Sequence, residues 1–237
     1  MSYARSRARI SFEKRVGELK NTARSVSYKR DRTSHRVREL VYHAAVFETS
    51  AALEEYVIQV FEDYHFSLLG NKNKMKDLPD AVRSYIFFSE IKGLFSNYIL
   101  TGDERKFLES IDFNGNAFSV TFHDKDYDAT INMKKVVDGK KYPSPRNWES
   151  LFYRIGLKGI FTRIDPLIKR SSKMMLVSFN DVRTAIAHES PPELNFGDIS
   201  MHMNNMLVFI RGLDRVLFSH ICKATGKSTW PNDGFED

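Results

Sequence analysis

Cysteine is nearly absent from this sequence, with Cys222 the single example in 237 residues. One thiol cannot form a disulfide within the chain, nor can it build a cysteine-rich zinc site. Histidine does not take over that role, because no paired zinc-type spacing joins His35, His43, His65, His123 and His202. We therefore expect no metal and no cofactor.

Long apolar runs are also missing. The chain contains no uninterrupted apolar stretch of about 18 residues, the length that a membrane-spanning helix requires. The first residues, Met1 to Arg15, are dominated by arginine and do not have the apolar core of a signal peptide. The sequence therefore predicts a cytoplasmic protein without a membrane segment.

A complete phosphate-binding loop is missing as well. The segment Thr225-Gly226-Lys227-Ser228-Thr229 matches the end of such a loop, but the glycine required five residues before Gly226 is replaced by Ile221. The segment also follows a predicted helix, whereas the loop must follow a strand. We therefore do not expect nucleotide binding of the P-loop kind.

What the chain does contain is apolar material and an excess of positive charge. Hydrophobic residues make up 42% of it, including 18 phenylalanines, so it can build a large core. The net charge of +6 is compatible with a polyanionic partner. The basic residues fall into two groups, which could equally be solvated helix faces: Arg5, Arg7, Arg9, Lys14, Arg15, Lys29, Arg30, Arg32, Arg36 and Arg38; and Arg163, Lys169, Arg170 and Lys173.

Apolar residues recur at spacings of three and four over most of the chain, which predicts helices. The pattern favours helices over residues 12–26, 36–69, 79–100 and from Trp148 onwards, with a last long helix that begins at Asp198 as its N-cap. Residues 112–142 differ: Ala117 to Phe122 alternates by two and Tyr127 to Val137 alternates less cleanly, which predicts a small β-hairpin insertion. We predict one mainly α domain over residues 1–237.

The segment from Asn180 to Pro192 carries the most chemistry, because it places Arg183 and His188 five residues apart. Arginine binds phosphate through a planar fork, and histidine transfers protons near neutral pH. On a helix, five residues correspond to about 140° of rotation and about 7.5 Å of rise. The two side chains are therefore expected at opposite margins of the apolar face.

The prolines that follow predict where this helix ends. Ser190 and Pro191 each precede a proline, which disfavours helical backbone and leaves His188 in the last turn. There the negative end of the helix dipole would favour a protonated imidazole, which could serve as an acid.

RNA cleavage by the 2′-hydroxyl requires a base, a cation and an acid. One copy of the Arg183/His188 pair supplies one cation and one proton-transfer group. We therefore predict a composite site formed by a homodimer.

The motif Val182-Arg183-Thr184-Ala185-Ile186-Ala187-His188 resembles the signature of HEPN domains, and Ala51 to Tyr56 is similar to part of their second helix. The resemblance implies an antiparallel helical bundle and a metal-independent endoribonuclease. It implies that Arg183 binds the phosphate of RNA and that His188 acts as general acid and base. It also implies a setting in toxin–antitoxin or phage-defence systems, with an antitoxin as a possible partner. The residue after the arginine is commonly asparagine, so Thr184 puts catalytic strength in question.

Two glutamates, Glu48 and Glu55, are candidates for orienting the motif, because a spacing of seven puts them on one face of the second helix. They could instead be solvated or ion-paired. Two other functions also stay open. A catalytically silent HEPN domain would bind RNA, a nucleotide or a partner protein, and a purely structural helical dimer would use Arg183 and His188 as a salt-bridge partner and a helix cap.

Overall fold

The structure is a computed structural model that describes residues 3–27, 33–70, 74–113, 134–188 and 193–225. It confirms the mainly α fold. The helices are α1 (Arg7–Ser25), α2 (His35–Gly70), α3 (Asp80–Thr101), α4 (Glu104–Phe113), α5 (Lys134–Val137), α6 (Pro145–Arg154), α7 (Ile160–Ile168), α8 (Ser172–Ala187) and α9 (Phe196–Thr225), with a 3₁₀ turn at Met75–Asp77. The predicted early helices agree with α1, α2 and α3 to within a few residues at most of their ends.

Local capping explains where several helices start and stop. The Ser6 hydroxyl accepts a hydrogen bond from the Arg9 N–H at 2.9 Å and begins α1. Gly102 ends α3 in the left-handed conformation, at φ 65°, which glycine adopts without strain. The prediction that Asp198 is the N-cap of α9 was wrong. Asn195 occupies that position, and the two side chains accept each other's backbone N–H at 3.1 and 3.0 Å.

The long helices α1, α2 and α9 form the centre of the bundle. Ser6 meets Asp214 and Lys20 meets Asn204, so α1 and α9 run antiparallel. Arg7 pairs with Asp63 and Arg15 with Glu48, so α1 and α2 are antiparallel too. Large side chains fill the core between them and α6 to α8, among them Tyr56, Phe61, Trp148, Phe152, Phe179 and Phe209.

A close crossing holds α7 against α9. A Cβ placed on Gly212 would lie 2.7 Å from Cγ2 of Ile168 and 2.8 Å from Cγ2 of Ile164. Only glycine allows the two helices to approach this closely. The crossing fixes α7, and with it the α7–α8 connection that leads into α8, the helix that carries Arg183.

A buried polar cluster ties the start of α1 to the middle of α2 and of α9. The Asp214 carboxylate on α9 is fully buried and accepts hydrogen bonds from the hydroxyls of Tyr3, Ser6 and Tyr56, and from the Ser6 N–H at 3.2 Å. Burial and the adjacent carboxylate raise the pKa of Tyr56 well above its usual value, so this hydroxyl remains a donor. A buried charge with this many donors is well compensated.

The predicted hairpin over residues 112–142 falls largely on residues 114–133, which lie outside the described residues. Its flanks are helical: residues 112 and 113 belong to α4, and Lys134–Val137 form α5. Separately, none of the helices in the described ranges is long and apolar enough to cross a membrane.

Candidate active site

Helix α8 presents the motif because its other face is anchored in the core. The Ser171 hydroxyl accepts a hydrogen bond from the Met174 N–H at 3.3 Å and begins the helix. Leu176 and Phe179 are almost fully buried, and further along Val182 and Ile186 pack on the core. The apolar face predicted from the sequence is therefore the buried face, and Arg183 lies at its margin.

The Arg183 guanidinium lies between two aromatic rings. Its central carbon is 5.4 Å from the ring centroid of Phe47 on α2 and 5.2 Å from that of Tyr142, before α6. A guanidinium stacks well on aromatic rings, and this contact fixes its orientation without neutralising its charge. Within the described ranges Arg183 forms no salt bridge, and its Nε is buried without a hydrogen-bond partner. The group is therefore a positioned cation with unused donors.

The loop that carries Tyr142 is fastened by three side-chain donors. The Trp148 Nε1–H donates to the Lys141 carbonyl at 3.3 Å, and the Asn147 amide donates to the Tyr142 carbonyl at 3.4 Å. The Asn180 amide, one turn before Arg183, donates to the Pro143 carbonyl. These bonds position the backbone on both sides of Tyr142, whose ring contacts Arg183.

Asn180 also brings an unused acceptor to this region. Its Oδ1 is buried and lacks a hydrogen-bond partner in the described part of the chain, as does the Arg183 Nε one turn later. A buried polar atom without a partner costs free energy that a bound ligand can recover. These two atoms are thus a buried acceptor and a buried donor, one turn apart on the same face of α8.

His188 does not lie in the last turn of α8, contrary to the expectation from the sequence. The helix ends at Ala187, and His188 is the C-cap residue with extended backbone at φ −98° and ψ 171°. Its N–H still donates to the Ala185 carbonyl, at 3.3 Å. The side chains of His188 and Thr184 are exposed. The imidazole is thus accessible at the helix end, while residues 189–192 lie outside the described ranges.

The two glutamates considered from the sequence lie on the side of α2 that faces α1. Glu48 pairs with Arg15, and Glu55 accepts a hydrogen bond from Gln59 at 3.0 Å. Among the residues that the structure describes, neither forms a hydrogen bond or an ion pair with Arg183 or His188. A different glutamate of α2, Glu54, lies 4.0 Å from the Nζ of Lys141, which precedes Tyr142 in the chain.

Sequence reasoning missed the partners of Arg183. Phe47 carries the helical apolar pattern of α2, and nothing in that pattern distinguishes it from core residues. Tyr142 lies in a Pro/Ser segment that predicts only the start of a helix. Asn180 was part of the motif segment but carried no assigned role. The structure brings these three residues together around Arg183.

Comparison with known protein families finds a match. The family model described as RiboL-PSP-HEPN matches residues 12–218, which span the fold from α1 to α9. The chain belongs to the RiboL-PSP-HEPN family. No curated protein and no solved structure matches it. Membership of this HEPN family supports an RNA-related, nuclease or nucleotide-binding role.

Proposed function

We propose that this RiboL-PSP-HEPN protein is a metal-independent endoribonuclease. The observation that carries the proposal is Arg183, an oriented cation with unused donors, five residues before the exposed His188. A planar, permanently charged guanidinium suits the scissile phosphate of RNA. An accessible imidazole suits proton transfer near neutral pH.

In this mechanism the RNA supplies its own nucleophile. The 2′-oxygen attacks the adjacent phosphorus while a base removes its proton, and the bond from phosphorus to the 5′-oxygen breaks. An acid protonates the departing 5′-oxygen, so the products are a 2′,3′-cyclic phosphate and a 5′-hydroxyl. Arg183 stabilises the charge that grows on the phosphate, His188 transfers protons, and the Thr184 hydroxyl supports the phosphate or Arg183.

A homodimer would complete the site. One chain supplies a single Arg183 and a single His188, whereas the reaction needs both a base and an acid. An exposed apolar stripe runs along α2 at spacings of three and four residues, and its members are Val37, Leu40, Ala44, Phe47 and Ala51. A stripe of this period suits packing against a second helix. Since Phe47 also contacts Arg183, a second copy docked here would lie beside the motif.

Replacing Leu40 with aspartate should break this dimer and the activity together. Leu40 is 60% exposed, so the substitution leaves the core intact while it places a charge in the proposed interface. We expect sedimentation to report a monomer and RNA cleavage to fall at least tenfold. Leu108→Asp on α4 is the matched control, because Leu108 is 57% exposed and lies away from the stripe. A monomeric Leu40→Asp protein that cleaves at the wild-type rate would contradict the composite site.

The biological proposal is that the enzyme acts as a toxin or a phage-defence effector, with an antitoxin as its partner. Expression of the wild-type chain should slow growth and degrade cellular RNA, whereas His188→Ala, expressed at the same level, should do neither. A wild-type chain that cleaves purified RNA but leaves growth unchanged would reject the toxin role and retain the nuclease.

A second candidate is a silent HEPN domain that binds RNA, a nucleotide or a partner protein. Thr184 favours it, because a single exposed hydroxyl stands where related motifs carry an amide. Binding and cleavage assays on the purified protein decide between the enzyme and the binding module. If wild type and His188→Ala both bind RNA with equal affinity and neither cleaves it, the binding module replaces the enzyme.

A further inference from the structure

Two open cavities meet on a part of the surface that the motif does not use. They have volumes of about 720 and 550 Å³ and share Pro79 and Gly156 as lining residues. They lie between the start of α3, the α6–α7 connection and the end of α9. We name them together the α3–α9 groove.

The groove is basic. Arg163 and Arg215 line the larger cavity and Lys158 the smaller one, and all three side chains are exposed. The Arg163 Nε donates to the Lys158 carbonyl at 3.0 Å, which aims the guanidinium without neutralising it. None of the three forms a salt bridge in the described part of the chain. The carboxylate that lines the groove, Asp80, pairs with Arg83.

Exposed aromatic rings accompany these cations. Phe88 is 52% exposed and Tyr153 is 55% exposed, and both line the smaller cavity. The Lys158 Nζ lies 5.7 Å from the Tyr153 ring centroid, and Tyr85 lies 6.3 Å from Phe88, centroid to centroid. Arg215 also lies over a ring, with its central carbon 5.3 Å from the Tyr3 centroid. Exposed rings beside cations that have no carboxylate partner are what a single-stranded nucleic acid needs, since bases stack on the rings and phosphates bind the cations.

The α3–α9 groove lies well away from the motif. Arg183 contacts Phe47, which adjoins the Arg15–Glu48 pair, whereas Arg215 adjoins Asp214, which binds Ser6. Arg15 follows Ser6 by nine positions, which corresponds to about 14 Å along α1. A nucleotide bound in the groove is therefore a different nucleotide from the one bound at Arg183.

We propose that the α3–α9 groove is a second binding site, for single-stranded RNA. Lys158, Arg163 and Arg215 hold successive phosphates, and Phe88 and Tyr153 stack the bases. The binding is independent of sequence, because every phosphate carries a charge and every base has a face that can stack. The site needs no cleavage at Arg183 and His188, so it stands even if the chain is not a nuclease.

The test measures binding of a labelled 12-nucleotide 2′-O-methyl oligouridine, which lacks the free 2′-hydroxyl and therefore cannot be cut by this chemistry. The double variant Arg163→Gln/Arg215→Gln should raise the Kd about tenfold or more. It should also reduce the slope of log K against log salt by about 1.4, as expected for two lost single-strand phosphate contacts. Tyr153→Ala should raise the Kd about tenfold through lost stacking.

The matched control is Lys14→Gln/Arg36→Gln, which removes two exposed cations that line neither cavity. It should leave the affinity within about twofold of wild type, and thermal unfolding should show that both double variants remain folded. The proposal is overturned if the two double variants weaken binding equally or if the wild-type protein does not bind the oligonucleotide. It is also overturned if a duplex RNA of the same length competes as well as the single strand. Cleavage of an unmodified RNA by the wild-type protein is measured separately. Its absence would reject the proposed nuclease and leave the groove proposal unaffected.

Discussion

Replacing Arg183 with alanine should reduce RNA cleavage by about 10²- to 10³-fold, the usual effect of removing one preorganised stabiliser of transition-state charge. Because arginine binds the phosphate before and during the reaction, KM should rise as kcat falls. Arg183→Lys should recover little of the activity. Lysine keeps the charge, but it has neither the planar fork nor the flat surface that fits between Phe47 and Tyr142.

The matched control is Arg211→Ala, which removes an exposed arginine on α9. It should cleave like the wild-type protein. Single-turnover rates and circular dichroism on the same preparations separate a catalytic loss from unfolding. If Arg183→Lys retained full activity, the stacked guanidinium would not be what positions the phosphate.

Replacing Asp214 with alanine should lower the free energy of unfolding by about 3–5 kcal/mol, because the buried network then loses its acceptor. The hydroxyls of Tyr3, Ser6 and Tyr56 would keep their place in the core without the carboxylate. Each donor left unsatisfied costs about 1–3 kcal/mol, and the missing side chain leaves a cavity. Tyr56→Phe removes one of these hydrogen bonds and should cost only about 1 kcal/mol.

Urea unfolding measures both effects. Asp181→Ala serves as the control, since Asp181 is an exposed aspartate on α8 and should change stability by less than about 0.5 kcal/mol. An Asp214→Ala protein that unfolds at the wild-type urea midpoint would show that the cluster does not hold α1, α2 and α9 together.

The early helices α1, α2 and α3 could be predicted because their signals are local, whereas α4 and α5 were not predicted. The spacing of apolar residues on one face predicted α1, and Gly102 predicted the end of α3. For α2 the prediction succeeded for a further reason. Apolar residues occur on its core side and along the exposed stripe, so its pattern is broad over 36 residues.

The surroundings of Arg183 could not be predicted, because they depend on tertiary contacts between distant segments. The motif gave Arg183 and His188, but no spacing in the sequence links them to Phe47 or Tyr142. Helix geometry placed Glu48 and Glu55 together correctly on one face, yet it could not show that this face meets α1. Which face of a helix meets which neighbour is decided by the packing of the whole bundle.

The α3–α9 groove likewise could not be predicted from the sequence. The basic cluster at Arg163 was visible, with a solvated helix face as the equal alternative. Its neighbours come from α3 and α9, which the fold brings beside the α6–α7 connection.

The most direct test of the central claim is an end-group measurement on RNA incubated with the purified protein in excess EDTA. We predict fragments that end in a 2′,3′-cyclic phosphate and begin with a 5′-hydroxyl, and no fragments from His188→Ala. Cleavage that stops in EDTA, leaves 5′-phosphates, or proceeds unchanged in His188→Ala would contradict RNA cleavage by Arg183 and His188.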